Sequence, residues 1–406
     1  MLHMHKPKQT TKWLYGMPFW HGVVYRCSTL TLRTIGFFMW RVRLRDMDKL
    51  PKTEPYLLLG NHSCMFDPFW AGIYVPRGIK SMASAAVLNV PYLGVWLRLC
   101  GCFPKMKYTK DRNSMRLLQE NYEAGYSILV FPEGNRSWDG RIGPVSKGIG
   151  RLIKRLGCKV VFVRLPTACL FQPRWATYPR WVPIEVQYDG PYEYGDDCSV
   201  DDIWQDVIQK ITIEPKIVGN PRTFGFRMAH GLPKYLWACP SCFVLDGLTV
   251  SSDNGNCVEC KQCSQTWELT VENKMLGENE MTVATAFDRI AQHFGDNPKL
   301  DESTFDKTGV ALSCPEATIL KRNTDTKKME LFHKGTLELT VEGLKITTPN
   351  DVWQVPHEEI TGISVEIANL LQFRIDGVAH RIVTPSQSSL LWHFFLMGWQ
   401  PKSEIA

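Results

Sequence analysis

Two short segments hold the groups best suited to acid–base chemistry. The first is Asn61-His62-Ser63-Cys64-Met65-Phe66-Asp67, the second Phe131-Pro132-Glu133-Gly134-Asn135-Arg136-Ser137. An imidazole titrates near neutral pH, so His62 can act as a general base. Asp67 lies five positions on, close enough across a turn for its carboxylate to hold the ring and stabilise the imidazolium. An alcohol is a poor nucleophile until a base takes its proton during attack, and a positioned base contributes roughly 10²–10⁴-fold in rate. Glu133, Gly134 and Arg136 offer a turn with N–H groups and a guanidinium, which suits a phosphate. Lys147, at the start of the next predicted helix, adds a donor where the helix dipole favours anions. A covalent route through Ser63 or Cys64 competes with base catalysis. Adjacent residues on one turn rarely face each other, however, and the sequence has no Gly-x-Ser-x-Gly elbow.

Both segments directly follow apolar runs that read as buried strands, Tyr56–Leu59 and Ser127–Phe131. From about Pro55 short strands alternate with amphipathic helices. Ile149, Leu152, Ile153 and Leu156 recur at i, i+3, i+4 and i+7 with Arg151, Lys154 and Arg155 between them, and Gly157 closes that helix. Val160–Leu165 reads as the next strand; Ile184–Val186 and a helix near Ile203–Ile211 complete the unit. This order predicts a largely parallel α/β sheet, whose sites form beyond the carboxyl ends of strands. The topology therefore sets both segments on one rim.

The two segments resemble the first and third motifs of the glycerolipid acyltransferases, the lysophosphatidic acid acyltransferase family. That family carries Asn-His-x-x-x-x-Asp and later Phe-Pro-Glu-Gly-Thr-Arg-Ser. The match covers residues 50–215. The resemblance implies transfer of a fatty acyl chain from an acyl thioester, acyl-CoA or acyl-ACP, to the free hydroxyl of a lysophospholipid such as 1-acylglycerol-3-phosphate. It makes His62 the base, Asp67 its partner, and Glu133, Gly134 and Arg136 the acceptor-binding turn. The chain departs from the pattern in three places. Asn135 stands where the family usually has Thr. The second motif normally presents an Arg, whereas Gly101-Cys102-Phe103-Pro104-Lys105-Met106-Lys107 offers only lysines, of which Lys107 matches best. A lysine holds phosphate as a point charge, not bidentately. The fourth motif's usual proline has no clean match near Phe162-Val163-Arg164. These departures leave the acceptor head group open.

Cys239-Pro-Ser-Cys242 and Cys260-Lys-Gln-Cys263 are two C-x-x-C knuckles separated by seventeen residues. That is the spacing of a zinc ribbon, a closed four-thiolate site with no position left for water and hence structural. Cys257 forms a competing knuckle with Cys260, and disulfides or iron would use the same spacing; the favoured set omits Cys257. From about Met329 the chain runs strand after strand, ending in an apolar helix at Ser388–Trp399. That order resembles a pleckstrin-homology-like or GRAM-like domain.

Charge is divided along the chain. Residues 1–236 carry 33 Lys+Arg against 18 Asp+Glu, a net +15, and residues 237–406 carry 14 against 23, a net −9. A basic half suits an anionic membrane or phosphorylated substrates. Nucleic acid is disfavoured because the ribbon lies in the acidic half. Residues 13–45 set Trp13, Phe19, Trp20, Phe37, Phe38 and Trp40 among Arg26, Arg33, Arg41, Arg43 and Arg45. Too short to span a bilayer, they predict helices lying at a membrane interface. The absence of a secretory pattern and the thirteen mostly scattered cysteines predict a reducing, cytoplasmic setting on the cytoplasmic membrane face. The expected architecture is an α/β acyltransferase domain with N-terminal interfacial helices, a small zinc ribbon and a mostly-β C-terminal domain. The boundaries are 1–50, 51–236, 237–272 and 273–406, with the anionic bilayer, the acyl donor and a protein bound by the ribbon or tail as partners. The alternative is a catalytically degenerate module that tethers a membrane to proteins.

Overall fold

In a computed structural model, residues 19–76, 78–105, 112–251, 253–295, 308–326, 328–366 and 370–398 are described. The chain divides into two units, 1–226 and 227–406.

The first unit is built on a mixed sheet of strands β1 (Arg43–Arg45), β2 (Tyr56–Gly60), β3 (Lys80–Ser84), β4 (Phe103–Lys105), β5 (Ile128–Val130), β6 (Lys159–Arg164) and β7 (Glu185–Tyr192). Their order is β1-β7-β6-β2-β5-β3-β4, and only the β6–β7 pair is antiparallel. The central strands are continuous apolar runs because both faces are covered. Leu58, Leu129, Val161 and Val163 point to one face, where Trp70, Phe171 and Tyr188 pack. Leu57, Leu59, Ile128, Val130, Val160 and Phe162 point to the other. That second face is covered by α6 (Gly148–Leu156), through Ile149, Leu152 and Ile153, and by α8 (Val200–Ile211), through Ile203, Val207 and Ile211. A Ser199–Asp202 capping box starts α8.

The remaining helices of this unit are α1 (Phe19–Phe38), α2 (Asp67–Gly72), α3 (Ala85–Leu88), α4 (Leu93–Leu99), α5 (Arg112–Glu123) and α7 (Ala168–Phe171). Helix α1 is described from Phe19 on; Trp13, Leu14 and Pro18 lie outside the described residues. Tyr25 anchors α1, its hydroxyl accepting from Ile79 N–H at 3.1 Å, while Trp96 of α4 donates to Ser28 Oγ at 2.7 Å. Trp20, Leu30, Phe37 and Phe38 remain exposed, as do Tyr92 and Val95 beside and within α4. No described helix is long and apolar enough to cross a membrane.

The second unit opens with α9 (Leu232–Tyr235), followed by an antiparallel sheet of β8 (Leu248–Val250), β9 (Cys257–Cys260), β10 (Thr266–Leu269), β11 (Lys274–Leu276) and β12 (Met281–Thr282). Thr282 caps α10 (Val283–Phe294). A second antiparallel sheet then runs through β13 (Val310–Arg322), β14 (Met329–Thr340), β15 (Gly343–Thr347), β16 (Val352–Pro356), β17 (Thr361–Glu366), β18 (Leu370–Ile375) and β19 (Val378–Val383). Its order is β16-β15-β14-β13-β19-β18-β17, and α11 (Ser389–Gly398) packs on β17 and β18. This region is mostly β, as expected. The sequence reading lacked β13 and β16.

Candidate active site

Strands β2 and β5 pair in parallel with Leu57 opposite Ile128 and Leu59 opposite Val130, so both end at the same edge. The two motif segments leave from that edge side by side. Gly60, the last residue of β2, is required by close approach. A Cβ there would lie 2.8 Å from Val163 Cγ1 and 3.2 Å from the Phe131 ring.

The turn after β2 folds back on itself around one carboxylate. Asp67 is fully buried, and its Oδ2 accepts from the N–H groups of Ser63 at 2.6 Å and Cys64 at 2.8 Å. The same oxygen lies 2.9 Å from His62 Nδ1. A carboxylate at Nδ1 keeps the proton on that nitrogen and leaves the lone pair on Nε2. The ring is also stacked on Phe131, with centroids 4.3 Å apart and planes 22° from parallel. The imidazole is thus held in plane and in tautomer, and its side chain keeps 18 % of its surface exposed.

Glu133 does not face outward. Its Oε1 accepts from the His62 backbone N–H at 2.7 Å and its Oε2 from Gly143 N–H at 2.8 Å. Ser137 N–H donates to His62 O at 2.7 Å. The second motif thereby clamps the backbone of the first. Burial pushes the Glu133 carboxyl up to about 7, against the pull of its two N–H donors.

Gly134 forms the tip of that turn at φ +72°, a left-handed conformation with open space where a side chain would project. Arg136 is half-buried and close to Asp67 and Cys64, yet its guanidinium forms no ion pair among the described residues. Desolvation lowers its pKa, and the two neighbours offset part of that effect. Its carbonyl is held by Arg174 Nη2's twin, Nη1, at 2.8 Å, and the Arg174 guanidinium lies over the Trp138 ring. Lys147 stands apart: its Nζ pairs with Asp201 of α8 at 2.9 Å and lies over Trp204. Lys107 lies outside the described residues.

Neither rival nucleophile is well placed. Ser63 and Cys64 are buried, and burial followed by the Asp67 charge pushes the Cys64 thiol well up, whereas a nucleophilic cysteine needs its thiolate. Several supporting residues escaped the sequence reading. Asn61 is buried and accepts from Leu165 N–H at 2.8 Å, tying the end of β2 to that of β6. Phe131 carries the His62 ring, and Gly143 and Ser137 complete the clamp. Asn61 and Phe131 were visible as members of the two motifs, but their contacts are not encoded by spacing. Gly143 left no signal.

In the second unit, Cys239, Cys242, Cys260 and Cys263 bring their sulfurs within 4.8 Å of one another. Cys239–Cys263 and Cys242–Cys260 are 3.8 and 3.6 Å apart. A tetrahedron with metal–sulfur bonds of about 2.3 Å has edges of roughly 3.8 Å, so the four thiols fit one metal ion and are too far apart for disulfides. The knuckles match each other. Phe243 N–H donates to Cys239 O and Ser264 N–H to Cys260 O, each at 2.9 Å, and Phe243 and Ser264 both adopt positive φ. Cys257 stands outside the cluster.

A braced imidazole and a guanidinium without a carboxylate partner among the described residues thus meet at the carboxyl edge of a largely parallel α/β sheet. A protein-family model described as Acyltransferase matches residues 41–165. The chain is 29% identical over 178 residues to a 1-acyl-sn-glycerol-3-phosphate acyltransferase of Limnanthes douglasii, covering 41% of this chain and 61% of that one. It is 28% identical over 133 residues to that of Saccharomyces cerevisiae (31% and 44%) and 25% over 154 residues to a chloroplastic one of Brassica napus (37% and 43%). The chain thus spans about half the length of the curated relatives it matches. A crystal structure of the 1-acyl-sn-glycerophosphate acyltransferase from Thermotoga maritima is 20% identical with a TM-score of 0.39, covering 48% of this chain and 86% of that one. The Acyltransferase match falls on the first unit of the chain.

Proposed function

We propose that the protein transfers a fatty acyl chain from acyl-CoA or acyl-ACP to the free hydroxyl of a lysophospholipid such as 1-acylglycerol-3-phosphate. The observation that carries this reading is the 2.9 Å contact between His62 Nδ1 and Asp67 Oδ2 on the rim shared with Arg136. His62 Nε2 takes the hydroxyl proton as the oxygen attacks the thioester carbonyl carbon. Asp67 stabilises the imidazolium that forms. The tetrahedral adduct then expels the thiolate, which recovers the proton from His62. Arg136 and the Gly134 turn bind the acceptor phosphate. Glu133 acts through the backbone of the base, and Lys147 belongs to the outer electrostatic field of the site.

The exposed aromatic and apolar residues of α1 and α4 lie on the cytoplasmic face of an anionic bilayer, so that the acceptor enters from the membrane without crossing water. The four cysteines hold a structural zinc ion, and the ribbon and β domain contact a protein partner.

The test is an acyl-transfer assay of the full chain on a panel of lysophospholipids, with the His62→Ala variant beside it. Transfer to a phosphate-headed acceptor by the native chain alone is the expected result. Equal turnover by His62→Ala refutes the base assignment, and no transfer to any acceptor by a folded native chain favours the tethering alternative.

A further inference from the structure

Helix α1 crosses the turn between α2 and β3 and leaves a cleft of about 170 Å³ beneath it. Tyr25, Arg26, Thr29 and Arg33 line it from the helix, and Ile73, Val75, Pro76 and Gly78 from the turn. Arg26 and Arg33 are seven residues apart, so the helical period sets them on one side of α1. Arg33 Nε donates to Ile73 O at 2.8 Å, which fixes the guanidinium over the cleft. Helix α1 contains no Asp or Glu, and neither guanidinium pairs with a carboxylate among the described residues. Both charges are therefore available to an anion. Leu30 and Phe37 follow the two arginines by four residues each, which sets an exposed apolar stripe directly beside the basic one.

We propose that this cleft seats the phosphate of an anionic phospholipid resident in the bilayer. The proposal rests on the reading of α1 as a membrane-facing helix and names the group that docks it. The chemistry of the two stripes selects this occupant over a soluble phosphate. Leu30 and Phe37 enter acyl chains while the arginines stay at the head-group level beside them. The cleft is well below the ~300–1,000 Å³ of pockets that enclose a whole ligand, so it takes a head group and leaves the chains in the membrane. Docking there also positions the chemistry. Ile73, which accepts from Arg33, directly follows α2, and Asp67, which holds His62, begins it. Six helical residues span about 9 Å, so a lipid bound in the cleft keeps the base within reach of the interface.

The test is flotation of the full chain with phosphatidylcholine vesicles, alone or doped with phosphatidylglycerol. Arg26→Gln/Arg33→Gln is compared with Arg151→Gln/Arg155→Gln, which removes the same charge from the exposed side of α6. Each arginine at an anionic surface is worth about 1 kcal/mol, so the cleft variant should bind doped vesicles roughly 30-fold more weakly. It should bind pure phosphatidylcholine as the native chain does, and the α6 variant should lose at most a few-fold on doped vesicles. Equal losses in the two variants overturn the proposal in favour of diffuse charge. Competition by millimolar inorganic phosphate at constant ionic strength overturns it in favour of a soluble anion. A native chain that floats with neither vesicle overturns the membrane reading itself, and transfer measured on detergent-dispersed acceptor reports separately on the active site. Unchanged thermal unfolding shows that the variants fold.

Discussion

The Glu133 carboxylate accepts a hydrogen bond from the backbone N–H of His62 at 2.7 Å. Two segments about seventy residues apart are joined by this contact, and a buried acid in one holds the backbone that carries the imidazole of the other. The sequence reading put Glu133 at the acceptor-binding turn. In the structure both of its oxygens accept from backbone N–H groups, those of His62 and Gly143.

That placement has a pH signature. The Glu133 carboxyl is raised from its ordinary range to about 7 by burial. Between about 4.5 and 7 the folded state therefore holds a proton that the unfolded chain has released, and stability falls as pH rises through this window. Glu133→Gln should remove that slope, on the order of 2–3 kcal/mol across the window. Chemical unfolding of both chains at several pH values measures it; parallel slopes would count against a raised acid.

Asp67→Asn should leave the fold recognisable but lower the transfer rate about 10²–10⁴-fold. The amide presents N–H or oxygen to three donors that share one carboxylate oxygen, so the ring loses its tautomer and its counter-charge. Cys64→Ala should keep most activity, because a thiol held neutral by burial is no nucleophile. Single-turnover rates compare them; collapse in Cys64→Ala with native rates in Asp67→Asn would reverse the roles.

Arg136→Gln should raise KM for a phosphate-headed acceptor roughly 10–100-fold, the worth of a charge-assisted hydrogen bond. Its KM for the acyl donor should change far less. Steady-state kinetics with each substrate varied in turn separates the two, and a rise confined to the donor would assign the guanidinium to the other substrate.

Gly60→Ala places a methyl 2.8 Å from Val163 Cγ1 and 3.2 Å from the Phe131 ring. Overpacking of this kind costs about 1–3 kcal/mol. Because Phe131 carries the His62 ring, activity should fall further than the loss of folded protein explains. Thermal unfolding alongside kcat decides it; full activity per folded molecule would show that the stack is dispensable.

One zinc per chain is expected by mass spectrometry, lost in Cys260→Ser and retained in Cys257→Ser, which stands outside the cluster. Chelation should lower the unfolding temperature of the full chain, because structural zinc contributes folding energy outright. Equal zinc in both serine variants would place the metal elsewhere.

The pairings within the candidate sites were legible in the sequence because their members are local. His62 and Asp67 lie across one turn, each C-x-x-C knuckle closes on itself, and the helix of Ile149, Leu152 and Ile153 shows its apolar face at a regular period. Strands β13 and β16 were missed where the alternation is weak: β13 carries bulges beside Ala317 and Leu320, and β16 has few buried positions. The break expected at Pro18 lies outside the described residues.

By itself, the sequence determined which groups could react, which turns would present them, and that apolar strands would bring both to one edge. Tertiary structure alone decided that Glu133 would turn inward to His62, that Phe131 would lie under the ring, and that Lys147 would go to Asp201. Those outcomes depend on strand register and on which hydrogen-bond donors burial leaves without water. Both are set by contacts between distant segments, and neither is written in the spacing of residues along the chain.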